Sequence, residues 1–361
     1  MRLSHLITAI EEYAPLSLQE SWDNSGLQVA LPPQAQGECT GALLCLDVTP
    51  PVIDEAVSRG CNLVISHHPL IFKGLKHLTG RTPAECTAAA AIRAGVAVYS
   101  SHTALDSTRG GVSYEMARRL GAEPLRVLAP ADTAEMLVRA TCPRAMADDV
   151  RLIRLGGDSA TSDSFDVEGQ KTNSPDAPGF PAEILLHEPL CRVEARVAAS
   201  ALAGVTSAIR ELPYSDRVRL DVIPVEERDS SRGLGIVARF AEPVSMEALA
   251  SMLKERFGSP AIKASRSYQP GARVSKIALC GGSGGEFIGA ATASGAQAYV
   301  SADIRYHDFA DNAANPMTIF DIGHFESESC AKDIFFNVIK NKFPNFAVYF
   351  SDTETIPVKY L

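Results

Sequence analysis

Three apolar runs of strand length, ALLCLDV (Ala42 to Val48), NLVIS (Asn62 to Ser66) and VAVYSS (Val96 to Ser101), alternate with segments of helical pattern. This alternation constrains the fold more tightly than any other feature of the chain. A run that is apolar at nearly every position predicts a strand covered on both faces. Strands separated by helices predict right-handed crossovers between parallel neighbours. The punctuation agrees: Thr49 is placed to cap a helix with Pro50 and Pro51 in its first turn and Gly60 to close it. TPAE, from Thr82 to Glu85, reads as a capping box with proline at the first helical position, and Gly95 ends that helix.

The rhythm returns late, in KIALC (Lys276 to Cys280), AYVSAD (Ala298 to Asp303), MTIFDIG (Met317 to Gly323) and AVYFSD (Ala347 to Asp352). Between the two halves the grammar changes. A polar stretch rich in Ser, Asp, Pro and Gly, from Gly156 to Gly179, reads as a long exposed loop. Around it lie strand candidates AEMLVRATC and RVRLDVIPV and a helical candidate SALAGVTSAIREL. The expected fold is therefore α/β: two similar α/β lobes forming one core domain, residues 1–130 and 231–361, with an α+β (ferredoxin-like) domain inserted at 131–230. Insertion at a surface loop scarcely disturbs the host core.

Composition narrows the functional classes. The 361 residues are 46% hydrophobic and 21% charged, with a formal charge of -9, which argues against a basic nucleic-acid footprint. The eight cysteines form no CxxC, and several sit in apolar pattern, as buried thiols of a reducing compartment do. MRLSHLITAIEEYAP spaces Leu3, Leu6, Ile7 and Ile10 as an amphipathic helix and lacks the long apolar core of a signal peptide. No apolar run approaches the roughly 18 residues of a bilayer span. A cytoplasmic protein without membrane attachment is expected.

In open parallel sheets, ligand sites gather beyond the carboxyl ends of the strands. Those ends carry Asp47, then His67 and His68, then His102 with Asp106, then Asp303 with His307, and finally His324 with Glu328. Each has a bland reading. The adjacent histidines could pack a turn, Asp106 could cap a helix, and the i,i+4 pair His324 and Glu328 could be a surface salt bridge. Their joint occurrence points to a metal site. Neighbouring residues of an extended strand face opposite ways, so His67 and His68 serve two ions more readily than one. A pair of cations needs a bridging anionic oxygen, which Glu328 or Asp106 can supply. Mixed imidazole and carboxylate ligands favour Zn, Fe, Mn, Co or Ni over Ca or Mg.

At these residues the sequence resembles the Nif-three-like dinuclear-metal family, also known as GTP cyclohydrolase type 2 homologues. The carrying motifs are ESWDNSGL (Glu20 to Leu27), VISHHP (Val64 to Pro69), SSHTALDS (Ser100 to Ser107), SADIRYHD (Ser301 to Asp308) and GHFESE (Gly323 to Glu328). The resemblance implies two divalent metal ions held between the lobes by His67, His68, Asp106, His324 and Glu328, with Glu328 the bridge and Asp106 its rival. It also implies a toroidal homohexamer whose sites face an internal cavity. Some members carry an inserted α+β domain at this place.

The implied activity is that of a metal-dependent hydrolase, GTP cyclohydrolase type 2-like or a phosphoesterase, acting on a small molecule such as a nucleotide. His307 is the first candidate for proton transfer, and with Asp303 it could instead orient a ligand. The alternative is a non-enzymatic metal-binding or regulatory assembly, because the chain has no P-loop, nucleophile elbow or basic clamp. CGGSGGE (Cys280 to Glu286) reads as a tight turn for close packing in preference to a phosphate cradle. Trp22, Asp23 and Asn24 read as a structural loop near the cavity.

Overall fold

A computed structural model describes residues 1–30, 37–132, 135–151, 190–198, 202–225, 228–353 and 356–360. The first segment supplies strands β1 (Gly26–Val29), β2 (Ala42–Cys45), β3 (Leu63–Ser66), β4 (Ala97–Ser100) and β5 (Ala122–Asp132). The middle supplies β6 (Glu135–Pro143), β7 (Leu190–Ala198) and β8 (Arg219–Val225). The last supplies β9 (Arg228–Ser245), β10 (Lys263–Ala264), β11 (Arg273–Ser283), β12 (Ala298–Ala302), β13 (Thr318–Asp321) and β14 (Val348–Phe350). By contacts the chain divides into two compact units, Met1–Ala131 with Ser230–Leu361, and Asp132–Asp229.

The larger unit holds two sheets of mixed α/β character, ordered β1-β4-β3-β2-β14 and β10-β13-β12-β11-β9-β5. Their centres are parallel: β14, β2, β3 and β4 in the first, β11, β12 and β13 in the second. Strands β1, β9 and β10 pair antiparallel to β4, β11 and β13. The apolar runs are continuous because both faces of these strands are covered. Leu63 and Ile65 join a core shared with Ile277, Leu279, Val300 and Phe320 of the other sheet. Val64, one residue out of phase, packs with Leu43, Val98 and the helices Pro50–Ser58 and Pro83–Ala94. On the outer face of the second sheet Ala278, Tyr299 and Ile319 form a separate cluster.

Two details depart from the sequence reading. The late run AVYFSD does not complete the second sheet: β14 crosses back to pair with β2, while β5 from the first segment edges the second sheet. Hydrophobicity marks a strand but not the edge it joins, and only Val348 of β14 is buried. The TPAE capping box is half formed. Thr82 Oγ1 accepts from the Glu85 N–H at 3.2 Å, whereas the Glu85 carboxylate turns to Thr79 and Arg81.

In the smaller unit a three-stranded antiparallel sheet, β7-β6-β8, packs Val138 and Val197 with Val205 and Ile209 of the helix Leu202–Arg210. The polar stretch Gly156 to Gly179 lies outside the described residues. Among the described residues, no helix is long and apolar enough to cross a membrane.

The crossover of β14 is fastened by a buried carboxylate. Glu55 accepts bonds from Ser351 Oγ (2.7 Å), Asp352 N (3.0 Å), Thr353 N (3.1 Å) and Thr353 Oγ1 (2.6 Å). Burial opposes its ionisation, but these donors outweigh it and bring the carboxyl from its ordinary 4.5 to about 2. A depressed pKa contributes stability above the unfolded value and loses it as pH falls through the folded one. Glu55→Ala is therefore expected to cost about 2 kcal/mol at pH 7, and the gap from wild type should close as the pH falls from about 4.5 towards 2. Urea denaturation at several pH values measures both.

Candidate metal centre

The carboxyl ends of the parallel strands meet at one place. His67 and His68 directly follow β3, and their N–H groups extend the ladder to the Cys45 and Leu46 carbonyls. Asp47 follows β2, Asp303 follows β12, and His324 opens the short helix His324–Glu328 after β13. Asp106 lies on the helix Thr103–Ser107 beyond β4.

Glu328 is at the centre, 3% exposed. Its two oxygens face different partners. Oε1 lies 3.7 Å from His67 Nε2, which is itself 3.6 Å from Asp106 Oδ1. Oε2 lies 2.9 Å from His68 Nε2 and 2.8 Å from His324 Nε2, and those two nitrogens are 3.3 Å apart.

The opposite nitrogen of each ring is already engaged. Nδ1 of His67 meets the Ser101 carbonyl at 2.9 Å, that of His68 meets Asp47 at 2.8 Å, and that of His324 meets Asp303 at 2.8 Å. In a neutral ring an acceptor at Nδ1 places the proton there and leaves Nε2 with its lone pair; when the ring is charged Nε2 carries a proton as well. Three lone pairs and two carboxylates thus converge, an arrangement that requires positive charge. Two of its atoms, His67 Nε2 and Asp106 Oδ1, are buried with no hydrogen-bond partner. Two atoms each about 2.1 Å from a tetrahedral ion stand about 3.4 Å apart, close to the spacing around His67. Ligand atoms of His67, His68 and Glu328 all lie within 4.8 Å of one another, so this group could hold a metal ion.

The electrostatics fit the same picture. Burial opposes ionisation of Glu328, but the charge of His67 and bonds from His324 and His68 outweigh it and hold the carboxyl well below its ordinary range. Burial likewise opposes charge on His68 and His324, yet the bonds they donate to their carboxylate partners, Asp47 and Glu328 for the first and Glu328 and Asp303 for the second, push them up to about 10 and about 9. Asp106 goes the other way, pushed up to about 6 chiefly by burial, with His67 opposing and Glu328 reinforcing.

Backbone geometry makes room for the carboxylate. Gly282, at the end of β11, has φ +63° and donates its N–H to Ser327 Oγ at 3.0 Å. A Cβ there would lie 2.1 Å from Glu328 Oε1, and one at Gly284 would lie 2.2 Å from Ser301 Oγ. CGGSGGE is thus a close-packing device beneath the carboxylate. Asp303 has φ +53° and is the one non-glycine with positive φ among the described residues. This is a strained conformation that Asp tolerates better than most residues, and it is held at the point where His324 is oriented.

His67, His68, Asp106, His324 and Glu328 are brought together; His307 is not among them. It stands exposed on the helix Tyr306–Asp311 with the Tyr306 ring beside it, and no contact among the described residues joins it to the cluster. What sequence reasoning missed is Asp23. Its enclosed carboxylate accepts from His102 Nδ1 (2.8 Å), Thr103 N (3.0 Å) and Thr103 Oγ1 (2.6 Å). Burial opposes its ionisation, but the bonds from His102 and Thr103 hold it well below the ordinary range. His102 in turn sets its ring 5.4 Å from that of His67 and 5.5 Å from that of His68, with Trp22 and Phe72 on its other sides. No local pattern announces a contact between residues 79 apart.

The strand-end cluster on a mixed α/β core defines the class, and comparison with known proteins defines the family. The chain belongs to the Duf34/NIF3 (NGG1p interacting factor 3) family, whose profile matches residues 1–357. A Bacillus subtilis (strain 168) relative named GTP cyclohydrolase 1 type 2 homolog is 28% identical over 373 residues, covering 99% of this chain and 98% of the relative. A Halalkalibacterium halodurans relative of the same name is 30% identical over 332 residues, covering 88% and 87%. The crystal structure of Staphylococcus aureus protein SA1388 matches with a TM-score of 0.77 at 25% identity, over 100% of this chain and 99% of that one. A Bacillus cereus protein related to NIF3 matches with a TM-score of 0.66 at 26% identity, over 99% and 98%.

Gly282→Ala tests the packing beneath Glu328. Strain at positive φ together with the clash is expected to destabilise the protein by about 1–3 kcal/mol, read by chemical denaturation. A crystal structure of the variant should show the Glu328 carboxylate displaced.

Proposed function

We propose that the cluster is a dinuclear metal centre and that the chain is a metal-dependent hydrolase, GTP cyclohydrolase type 2-like or a phosphoesterase, acting on a small molecule of nucleotide type. The observation that carries this reading is the division of Glu328: one oxygen faces His67 and Asp106, the other faces His68 and His324. One carboxylate oxygen per ion is what a bridging ligand provides. His67, Asp106 and Oε1 would hold one cation; His68, His324 and Oε2 would hold the other. The donor set suits Zn, Fe, Mn, Co or Ni. The names of the relatives support the cyclohydrolase form of the reading.

When bound, such cations supply Lewis acidity to a water and to a substrate oxygen. The chain's own residues do the rest. Ser101, Asp47 and Asp303 fix the imidazole tautomers, so that the ligand atoms are oriented before anything binds. Asp23 holds the Nδ1 proton of His102, which leaves Nε2 to exchange a proton with a substrate; this assigns to His102 the role that sequence reasoning gave to His307. The Trp22 and Phe72 rings flank His102 and offer a base or sugar an apolar surface. The homohexamer belongs to the same reading, and a solution mass of six chains checks it.

Purified protein should carry two divalent ions per chain by elemental analysis and, so loaded, turn over GTP or a member of a phosphoester panel. His68→Ala should lose at least about 100-fold in turnover, through loss of one ion. No turnover of any substrate with both ions present would contradict the hydrolase and leave a non-enzymatic metal-binding assembly. Asp303→Asn, which spares the ligands, should weaken metal affinity about 10–100-fold by titration.

A further inference from the structure

The smaller unit sets two thiols face to face, far along the chain from the metal cluster. Cys142 on β6 and Cys191 on β7 are direct antiparallel partners, and their sulfurs lie 4.0 Å apart. Both belong to the packed side of the sheet. Cys142 is buried with Ala140, Ala147 and Val150, while Cys191 and Val193 pack against them only partly buried. Directly opposed residues in an antiparallel pair have Cβ atoms about 4.5–5.5 Å apart, and a disulfide needs about 3.5–4.5 Å. Closure therefore asks for a rotamer change and a small approach of the strands, with no shift of register.

We propose that Cys142 and Cys191 form a thiol–disulfide exchange site that takes a low-molecular-weight disulfide as its reactant. The difference in exposure sets the order of events. The Cys191 thiol loses its proton and attacks one sulfur of the small disulfide, forming a mixed disulfide and releasing one small thiolate. Cys142 then loses its proton and attacks the Cys191 sulfur, closing the Cys142–Cys191 bond and releasing the second small thiolate. Two protein thiols are oxidised by two electrons, one small disulfide is reduced to two thiols, and the two protons lost by the protein are taken up by the products. The bond joins positions 49 apart. It restricts the unfolded chain and fixes the β6–β7 pairing, so the oxidised unit is the more stable one. A reversible bond of this kind is compatible with a reducing compartment, where the thiol poise decides its occupancy.

The test uses the full chain and oxidised glutathione as probe, with acid quenching and peptide mapping by mass spectrometry. A peptide linking Cys142 to Cys191 is expected, with the count of free thiols in the unfolded chain falling from eight to six, or to five where exposed Cys86 also carries glutathione. Cys142→Ser should trap glutathione on Cys191, whereas Cys191→Ser should leave Cys142 unmodified. The linked wild type should melt several degrees higher than the reduced protein. Wild-type protein that keeps glutathione on Cys191 without linking, or that links either cysteine to a different one, would overturn the proposal. The mapping is made on unmutated protein, so a variant that failed to fold would not spare it.

Discussion

Glu328 is almost wholly removed from solvent and yet held ionised, and a buried ionised carboxylate costs several kcal/mol unless positive charge meets it in good geometry. Three imidazoles meet it here, but each has its Nδ1 committed to an oxygen acceptor. What they present to the carboxylate is Nε2, which brings positive charge only by taking a proton or by sharing a cation. The raised affinity of His68 and His324 for protons has the same origin, the carboxylates that face them. Divalent cations answer the same demand from the same lone pairs, and the proposed centre follows from this substitution.

The fold supplies what the carboxylate requires. Parallel strands end at a common edge, so residues from five distant segments reach one place without interrupting a ladder. Both faces of those strands are packed, which fixes the edge as a rigid platform. Glycine at 282 lets backbone pass where a side chain would collide with Glu328, and the strained backbone of Asp303 sets the acceptor that orients His324. The supporting residues are therefore as much a part of the site as the ligand atoms they hold.

Much of this was legible in the sequence. Apolar runs ending in His67-His68, Asp47, Asp303 and His324 announced both the strands and the edge at which they meet, because strand length and ladder direction leave little choice of where the polar residues go. His102 was visible at a strand end, but its pairing with Asp23 was hidden: the contact reaches a turn-forming loop that reads locally as punctuation. His307 also follows a strand end, but the helix Tyr306–Asp311 leaves it exposed, a placement that the strand pattern does not encode. The sheet chosen by β14 was illegible for a different reason: edge pairing is decided by tertiary contacts such as those of Glu55, which no hydrophobic pattern encodes.

The central claim is that one buried carboxylate is shared by two cations. The direct test is an anomalous-difference map from crystals grown with zinc, recorded at the zinc edge. Two peaks about 3.5–4 Å apart, one bounded by His67 and Asp106, the other by His68 and His324, with Glu328 touching both, are predicted. A map with no peak among these residues, or a single peak that leaves one oxygen of Glu328 without a cation, would contradict it.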